Sequence, residues 1–292
     1  MRTPGHEVVG RVSQIGDGVH GFELEQRIFV APNIGCGHCE QCVSGNNNLC
    51  TNFTALGITI DGAFAEFMRV PANAVSQGNV MPISEHVDPA VAALIEPFAC
   101  VIRGQRALTI QAGDVVLVMG SGPIGIMHMK LAKLKGAGKV IVSEPIPERR
   151  QQAADLGADT VVDPFNEDLK SILLANSRGR GADAIIIAAP VNALQEQSLD
   201  LATVGGRISF FGGLPKDRPT IQFDSNLVHY KELSVSATTA CSTFDCLQAT
   251  NIVNSSRIDL GPLISARVEL ADAAEGLRLA EDRKSLKVVL VP

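Results

Sequence analysis

At 292 residues the chain is longer than one hydrophobic core usually supports, so its length predicts two domains. A net charge of −6 at pH 7 and an ordinary globular composition give no general attraction to nucleic acid or anionic lipid, which argues against polyanion binding. The apolar runs fall short of the ~18 residues that a membrane span needs, and residues 1–10 carry no secretion signal, so we expect a cytoplasmic protein with no membrane partner.

The first third of the chain has the pattern of an antiparallel β lobe. Residues 7–71 contain short segments of alternating polarity separated by Gly and Pro, in EVVGRVSQIG, QRIFVAP and AFAEFMRVP. Residues 88–108, DPAVAALIEPFACVIRGQRAL, then predict one or two helices that break near Pro97. Glu96 stands in the apolar part of this run, where burying a carboxylate is costly unless a cation or hydrogen bonds compensate. That cation can be a metal ion, or Arg103 in an ion pair.

Four cysteines of the lobe follow the pattern C-x2-C-x2-C-x7-C: Cys36, Cys39, Cys42 and Cys50. Two-residue gaps let successive thiolates turn inward from a tight loop, and the longer gap lets the chain close a tetrahedron around Zn²⁺. A reduced compartment disfavours disulfides, and the spacing departs from the ferredoxin pattern of an iron–sulfur cluster, which is the rival. We therefore predict a structural zinc. Four thiolates leave no open coordination position, so the chemistry is expected elsewhere.

From residue 114 onward, apolar strands alternate with helical stretches. VVLVMG predicts a buried parallel strand that runs directly into the turn GSGPIG, residues 120–125, and then a helix. In this setting the pattern G-x-G-x-x-G predicts a dinucleotide site. Gly120 makes the turn, Gly122 lets the backbone approach a pyrophosphate, and Gly125 lets the helix pack on the strand. Pro123 and Ile124 fill the two variable positions and count among the candidate cofactor residues.

An acidic residue ends the next predicted strand. KVIVSEP places Glu144 19 residues after Gly125, where its carboxylate can accept hydrogen bonds from both hydroxyls of a ribose. The same charge repels a 2′-phosphate, so we expect NAD rather than NADP. Arg149 and Arg150 follow, and either could accommodate such a phosphate or lie on a solvated helix face. For Arg150 we favour the helix face.

The alternation continues to the end of the chain. Strands are predicted at 160–162, 184–188 and 207–212, helices at 167–175 and 191–203, and a further strand in NLVHYKELSV, residues 226–235. Two helices follow in CSTFDCLQATNIVNSS and ADAAEGLRLAEDRK, and a strand in KVVLVP. The predicted fold class is therefore α/β, with a doubly wound Rossmann domain at 103–240 and a β-rich domain formed by 1–102 and 241–292.

GHEVVGRV, the cysteine loop, LIEPFA, VMGSGPIG and LKVVLVP occur in the order found in zinc-dependent medium-chain alcohol dehydrogenases. Over essentially its whole length the chain resembles their sorbitol (polyol) dehydrogenase-like branch. The resemblance implies a GroES-like first domain, a structural zinc on the cysteine loop, and a catalytic zinc. The matching catalytic ligands are His6 and Glu96, and Glu7 matches a residue that binds the metal or lies beside it. The resemblance also places Ile124, Glu144 and Arg149 on the cofactor contacts, and it implies a homodimer or homotetramer.

The chain departs from the family pattern near its start. Family members carry a first catalytic-zinc cysteine in a C-G-[Ser/Thr]-D motif well before GHE, and here Met1 stands five residues before His6. The resemblance therefore implies an N-terminally truncated first domain or a lost metal site. Of the remaining cysteines, Cys100 lies about one helical turn from Glu96, and Cys241 and Cys246 lie beyond the Rossmann segment. We expect Cys100 to be a small core residue, and none of the three to be an obvious replacement ligand.

Zinc in such a site acts as a Lewis acid on the substrate hydroxyl while hydride passes to nicotinamide. The resemblance thus predicts NAD-dependent oxidation of a secondary alcohol, a polyol, to a ketone. A threonine dehydrogenase is the alternative within the family. A truncated, non-catalytic NAD-binding protein is the alternative from a different class. A zinc-free quinone reductase fits the Rossmann segment but has no use for the cysteine loop or for Glu96.

Overall fold

The computed structural model describes residues 2–282 and 285–292, and its chain divides into two compact units. The first unit is Met1–Cys100 together with Ala240–Pro292, and the second is Val101–Thr239. Among the described residues, no helix has both the length and the apolar character that a membrane crossing requires.

The N-terminal part of the first unit is built from short elements. Its strands are β1 (Val9–Arg11), β2 (Arg27–Val30), β3 (Asn33–Ile34), β4 (Thr54–Ala55) and β5 (Val80–Pro82). Its helices are α1 (Glu40–Val43), α2 (Ala72–Ser76) and α3 (Pro89–Ala93), with a 3₁₀ turn at Asn47–Leu49, and α4 (Ile95–Arg106) begins in this unit and ends in the second one. The order β1-β2-β5 forms an antiparallel sheet, and β3 pairs with β4 in a second one. The predicted antiparallel lobe is confirmed.

One predicted strand of this lobe is wrong. Residues 63–71, AFAEFMRVP, form no strand, and the backbone N–H groups of residues 62–64 donate instead to carbonyls of residues 3–5. Met68 and Val70 are partly buried against the small apolar cluster around Val30. The alternation in this segment therefore reflects loop packing rather than a strand ladder.

The predicted helical break lies earlier than expected. Helix α3 begins after Asp88, whose side chain accepts a hydrogen bond from the backbone N–H of Ala90, and it ends at Ala93, with Leu94 as its C-cap. Pro97 does not break the run but lies in the first turn of α4, where a missing backbone N–H costs no helical hydrogen bond. Glu96 is therefore held at the start of a long helix.

The second unit is a single parallel sheet covered by helices. Its strands are β6 (Val115–Met119), β7 (Lys139–Ser143), β8 (Thr160–Val162), β9 (Ala182–Ile187), β10 (Ala202–Phe210) and β11 (Ser234–Ala237). Its helices are α5 (Pro123–Leu134), α6 (Pro147–Asp155), α7 (Leu169–Asn176), α8 (Asn192–Leu201) and α9 (Ser225–Tyr230). All neighbouring strands are parallel, in the order β11-β10-β9-β6-β7-β8.

This strand order confirms the doubly wound fold. The sheet grows outward in both directions from β6 and β9, so the order reverses beside β6, where such sheets bind their ligands. Every residue of β6 is buried, as its continuous apolar run predicts. The turn that follows β6 therefore lies at the end of a fully buried strand.

The segment NLVHYKELSV is a helix followed by a strand, so the single predicted strand is wrong. The side chain of Asp224 accepts hydrogen bonds from the backbone N–H groups of Asn226 and Leu227 and starts α9. Strand β11 begins only at Ser234. The capping residue stands two positions before the segment to which the strand was assigned.

The chain returns to the first unit with α10 (Thr243–Asn254), β12 (Ile264–Glu269), α11 (Ala273–Glu281) and β13 (Lys287–Val291), and with 3₁₀ turns at Gly261–Leu263 and Leu270–Asp272. Strands β12 and β13 pair in parallel. The helix predicted for ADAAEGLRLAEDRK forms, although its last two residues, Arg283 and Lys284, lie outside the described residues. The closing strand is confirmed.

Candidate functional site

The four loop cysteines converge on one point. The Sγ atoms of Cys36, Cys39, Cys42 and Cys50 all lie within 4.8 Å of one another. Those of Cys36 and Cys42 are 3.9 Å apart, close to the sulfur–sulfur edge of about 3.8 Å that a tetrahedral ZnS₄ centre has. The backbone N–H groups of Cys36 and Cys39 donate to the sulfurs of Cys50 and Cys36, both at 3.4 Å.

Glycines shape this loop for two different reasons. Gly37 and Gly45 have φ of +85° and +79°, in the region that favours glycine. At Gly35 the constraint is space, because an added Cβ would lie 2.4 Å from the Sγ of Cys42. The loop backbone is therefore fitted closely around the sulfur cluster.

The surroundings of the loop shift the pKa values of two of its thiols in opposite directions. Hydrogen bonds from the backbone at His38 and Cys39 lower the pKa of Cys36 to about 6, so this thiol ionises readily. Burial raises the pKa of Cys42 to about 12, so this thiol ionises only with help from a cation. A bound Zn²⁺ supplies that help, since it takes cysteine as thiolate.

A second donor cluster is centred on Glu96. One ligand atom each from His6, Glu7 and Glu96 lies within 4.8 Å of the others. Glu96 is 6% exposed, whereas His6 and Glu7 are half-buried. Burial and the neighbouring Glu7 carboxylate raise the pKa of Glu96, although His6 opposes the shift. Two close carboxylates beside an imidazole are an arrangement that a bound cation would stabilise.

Glu7 also has a partner that the sequence did not suggest. The Nζ of Lys287, the first residue of β13, donates to Oε2 of Glu7 and forms an ion pair with it. Lys287 thus orients the carboxylate that stands beside His6 and Glu96. Lys287 lies 280 residues from Glu7 along the chain, so no local sequence pattern indicates this contact.

Thiols surround the other side of Glu96. The Sγ atoms of Cys100 and Cys241 are each 3.6 Å from Oε1 of Glu96, and Cys246 Sγ is 3.6 Å from Cys241 Sγ. Glu96, Cys100 and Cys241 form a three-donor group with all ligand atoms within 4.8 Å. Cys100 lies one helical turn from Glu96 on α4, as expected. The proximity of Cys241 to Glu96 was not foreseen.

Buried asparagines fix the backbone at Cys241. Asn33 Nδ2 donates to the carbonyl of Cys241 at 2.8 Å, and Asn47 Oδ1 accepts from the N–H of Thr243 at 2.9 Å. Ser242 and Asp245 cap α10 reciprocally, each accepting from the other's backbone N–H. Because Asn47 belongs to the cysteine loop, the predicted structural zinc site also supports the residues next to Cys241.

In the second unit, the turn after β6 has the geometry of a phosphate-binding turn. Gly120 has φ of +101°. A Cβ at Gly125 would lie 1.9 Å from the carbonyl oxygen of Gly120, so only glycine allows α5 to pack there. Gly122 is the N-cap of α5 and Pro123 its first residue. A Cβ at Gly122 would meet only the Arg149 guanidinium, at 4.0 Å, so the space above this backbone is open.

Glu144 lies under that turn, and Arg149 lies beside it. The Glu144 carboxylate is 4% exposed and accepts from the N–H of Ser121 at 2.7 Å and from the N–H of Ile146 at 3.0 Å. Arg149 and Ile124 are half-buried. Arg150 forms an ion pair with Asp163 at 3.0 Å and donates to the carbonyl of Glu144, so it braces the strand end rather than lying on a solvated face.

Comparison with known proteins gives the family. The profile of the alcohol dehydrogenase GroES-like domain matches residues 2–82, and that of the zinc-binding dehydrogenase domain matches residues 123–255. The L-threonine 3-dehydrogenase of Pyrococcus horikoshii is 33% identical over 293 residues, covering 98% of this chain and 81% of that protein. The chain belongs to the zinc-dependent medium-chain alcohol dehydrogenase family.

Solved structures of other dehydrogenases agree. A zinc-binding dehydrogenase from Sinorhizobium meliloti bound to NADP matches with a TM-score of 0.89 and 32% identity, covering 100% of this chain and 84% of that one. An alcohol dehydrogenase from Escherichia coli complexed with NADH matches with a TM-score of 0.90 and 28% identity, with coverage of 100% and 84%. This zinc-dependent dehydrogenase is therefore an oxidoreductase that uses zinc and a nicotinamide cofactor, in a family that acts on small-molecule alcohols.

The residues of this dehydrogenase fit both zinc and a nicotinamide dinucleotide. Sulfur, imidazole and carboxylate are the donors that zinc prefers, and the two donor clusters of the first unit contain all three kinds. The open N-terminus of α5 above Gly122 suits a pyrophosphate, because backbone N–H groups and the helix dipole both favour negative charge there.

Proposed function

We propose that this chain oxidises a secondary alcohol of a polyol to a ketone and transfers the hydride to NAD. The observation that carries the proposal is the cluster of His6, Glu7 and Glu96 around one point, with Glu96 buried. A zinc-dependent alcohol dehydrogenase requires a metal-binding group of this kind, and a carboxylate at the second position is the feature shared with the polyol branch.

His6 and Glu96 are the proposed ligands of the catalytic zinc, and a zinc there would supply Lewis acidity toward the substrate hydroxyl. Glu7 stands within reach of both ligands and is fixed by Lys287. We assign Glu7 to the orientation of His6 and Glu96 or to the metal itself. The cysteine loop is assigned a structural role, since four thiolates fill a tetrahedral site.

NAD is the proposed cofactor. The buried carboxylate of Glu144 follows β7 and is hydrogen-bonded to the glycine turn, a position that supports a ribose contact, and its charge disfavours a 2′-phosphate. The Arg149 side chain reaches the neighbourhood of Gly122, where it can contact the pyrophosphate. Similar structures carry NADP in one case and NADH in another, so the preference is assigned from Glu144.

The test is turnover by the zinc-loaded chain. NAD(P)H formation is followed by absorbance with sorbitol, xylitol, L-threonine and ethanol, each with NAD⁺ and with NADP⁺. We expect the polyols with NAD⁺ to give the highest kcat/KM. His6→Ala and Glu96→Gln should each lower kcat/KM about 100-fold or more, since metal assistance contributes several kcal/mol to the barrier.

Matched controls are His20→Ala and Glu66→Gln, which change exposed residues of the same types and should stay within about twofold of the parent chain. Cofactor-induced thermal stabilisation without turnover of any alcohol would contradict the proposal and would indicate a non-catalytic NAD-binding protein. Faster turnover of ethanol than of polyols would remove the polyol assignment.

L-threonine is a second candidate substrate, and a specific observation favours it. The P. horikoshii enzyme, which is 33% identical, is an L-threonine 3-dehydrogenase, and L-threonine also carries a secondary alcohol. The same substrate panel decides between the two. A kcat/KM for L-threonine at least tenfold above that for the polyols would assign this chain to threonine oxidation.

A further inference from the structure

Two thiols donate to one oxygen of the buried Glu96 carboxylate. The Sγ atoms of Cys100 and Cys241 each lie 3.6 Å from Oε1 of Glu96, within reach of an S–H···O hydrogen bond. The donor atoms of His6 and Glu7 form a separate group with Glu96. Glu96 therefore has thiols as neighbours in one group and the proposed metal-binding residues as neighbours in the other.

Contacts other than those with Glu96 hold both thiols in place. Cys100 follows Glu96 by four residues on helix α4, so one helical turn fixes the spacing of the two side chains. Cys241 comes from a distant part of the chain, and its carbonyl accepts a hydrogen bond from Nδ2 of Asn33 at 2.8 Å. The next residue, Ser242, is the buried N-cap of α10. Both donors therefore occupy positions that the surrounding backbone sets.

A buried carboxylate oxygen gains from such donors. Glu96 is 6% exposed and Cys241 is fully buried, so these groups have little access to water. An S–H group is a weak donor, but hydrogen bonds to a charged group are stronger than neutral ones, and a low local dielectric strengthens them further. Burial and the neighbouring carboxylate both disfavour a thiolate, so the thiols keep the protons that they donate. Two such bonds on one oxygen restrict rotation of the carboxylate.

We propose that Cys100 and Cys241 are positioning residues that hold the Glu96 carboxylate for the catalytic metal. The inference rests on the proposed function for a zinc at His6 and Glu96, and it keeps both sulfurs outside the coordination sphere. The thiols occupy one oxygen of Glu96 and hold the other oxygen toward His6. Loss of groups that orient a metal ligand typically weakens metal binding about 10–100-fold, because the ligand must then be ordered when the metal binds.

Cys246 supplies a matched control. Its Sγ lies 3.6 Å from the Sγ of Cys241 and the residue is 1% exposed, yet the donor group of Glu96, Cys100 and Cys241 does not include it. Replacing Cys246 by alanine removes a buried thiol beside the same neighbour without removing a donor to Glu96. A loss of metal affinity that comes from cavity formation alone would therefore appear in Cys246→Ala as well.

The first measurement is the S–H stretching band in the infrared spectrum, which lies in a window free of other protein absorption. The full chain is kept reduced and loaded with zinc. Four of its seven cysteines lie on the cysteine loop and become thiolates, so three S–H groups remain. Difference spectra of Cys100→Ala, Cys241→Ala and Cys246→Ala assign one band to each of them.

Hydrogen bonding to a carboxylate lowers the S–H stretching frequency. We expect the bands of Cys100 and Cys241 below the frequency of a free thiol, and we expect Glu96→Gln to raise both, because a neutral amide is a weaker acceptor. Bands that Glu96→Gln leaves unmoved would overturn the proposal. Loss of both bands on zinc loading would also overturn it, because the sulfurs would then be thiolate ligands rather than donors to Glu96.

The second measurement is zinc affinity at Glu96. A chromophoric chelator withdraws zinc from the folded chain, and the ion that Glu96→Gln loses identifies this site. Cys100→Ala/Cys241→Ala should bind this ion at least tenfold more weakly, and Cys246→Ala should stay within about twofold of the parent chain. Cys241→Ser keeps a donor and should recover most of the affinity that Cys241→Ala loses.

Circular dichroism checks that each variant is folded. Parent affinity in the folded double variant, or an equal loss in Cys246→Ala, would overturn the proposal. Serine no better than alanine at Cys241 would also overturn it, because a hydrogen-bond donor would then be irrelevant at this position. If the double variant does not fold, the infrared bands of the parent chain and of Glu96→Gln decide the question.

The proposed function and this inference fail in different ways. Turnover of alcohols with thiol bands that do not respond to Glu96→Gln would keep the enzyme and remove the positioning role. Responsive thiol bands and a tenfold loss of zinc affinity, without turnover of any alcohol, would keep the positioning role and remove the proposed activity. A chain that binds zinc on the cysteine loop alone would remove both.

Discussion

The Glu144 carboxylate accepts hydrogen bonds from the backbone N–H of Ser121 at 2.7 Å and from the Ser121 hydroxyl at 3.1 Å. Ser121 is the residue between the first two glycines of the turn. The acid at the end of β7 is therefore tied directly to the glycine turn after β6, and the two parts of the dinucleotide motif form one hydrogen-bonded unit. A change at Glu144 therefore acts on the turn as well as on the proposed contact with the ribose.

Replacing Glu144 by Gln should shift cofactor choice. The substitution keeps the shape but removes the negative charge that opposes a 2′-phosphate, so we expect the NADPH/NADH affinity ratio to rise about tenfold, equivalent to about 1.4 kcal/mol. Binding is measured by NADH and NADPH fluorescence, which does not require turnover. Glu148→Gln, an exposed change on α6, should leave the ratio unchanged. An unaltered affinity ratio in Glu144→Gln would show that this carboxylate does not discriminate between a ribose 2′-hydroxyl and a 2′-phosphate.

Alanine substitutions should separate the roles of two glycines. In Gly125→Ala the new Cβ would lie 1.9 Å from the Gly120 carbonyl oxygen, so we expect misfolding or a loss of several kcal/mol of stability. In Gly122→Ala the nearest atom is 4.0 Å away and φ is −63°, so the chain should fold with a similar melting temperature. It should nonetheless bind NADH at least tenfold more weakly, because the methyl group blocks the pyrophosphate. Normal NADH affinity in Gly122→Ala would contradict this placement of the cofactor.

Local patterns gave the fold and much of the candidate site. The cysteine loop and the turn GSGPIG are each contained in about fifteen residues or fewer, so spacing alone restricts their geometry. The strands of the second unit were recognisable because a buried parallel strand is apolar throughout. The strand predicted for AFAEFMRVP is wrong because a loop that packs against the core produces the same alternation as a half-buried strand.

Local sequence patterns do not predict the contacts that Glu96 and Glu7 make. Cys241 is 145 residues from Glu96, and Lys287 is 280 residues from Glu7, so only the tertiary fold brings them together. No residue spacing encodes such a contact.

Removing one loop thiol should empty the structural site. Cys42→Ser leaves three thiolates and places a hydroxyl where Gly35 packs against sulfur, so we expect loss of about one zinc per chain and of several kcal/mol of stability. Elemental analysis and urea unfolding measure both. Cys246→Ser, a buried thiol outside the loop, should keep that zinc. Full zinc content in Cys42→Ser would contradict the four-thiolate assignment.

His128 gives the second unit a predictable response to pH. It is fully buried on α5, its ring packs edge-on against Phe211 at 4.5 Å, and Gln105 Nε2 donates to its carbonyl at 2.7 Å. Burial lowers the pKa of His128 from 6.5 to about 3. Between these values the unfolded chain binds a proton that the native chain does not, so native stability falls as the pH decreases from 6.5 toward 3.

The His128 contribution to this loss approaches about 1.4 kcal/mol per pH unit. His128→Gln removes the titration, so whatever its stability at pH 7.5, its free energy of unfolding should fall less steeply below pH 6 than that of the parent chain. Urea unfolding at pH 4.5, 5.5, 6.5 and 7.5 gives the two slopes, and zinc release affects both chains alike. His20→Gln, at an exposed histidine, should keep the parent slope. Identical slopes for His128→Gln and the parent chain would mean that this imidazole gains its proton in the native state as readily as in the unfolded one.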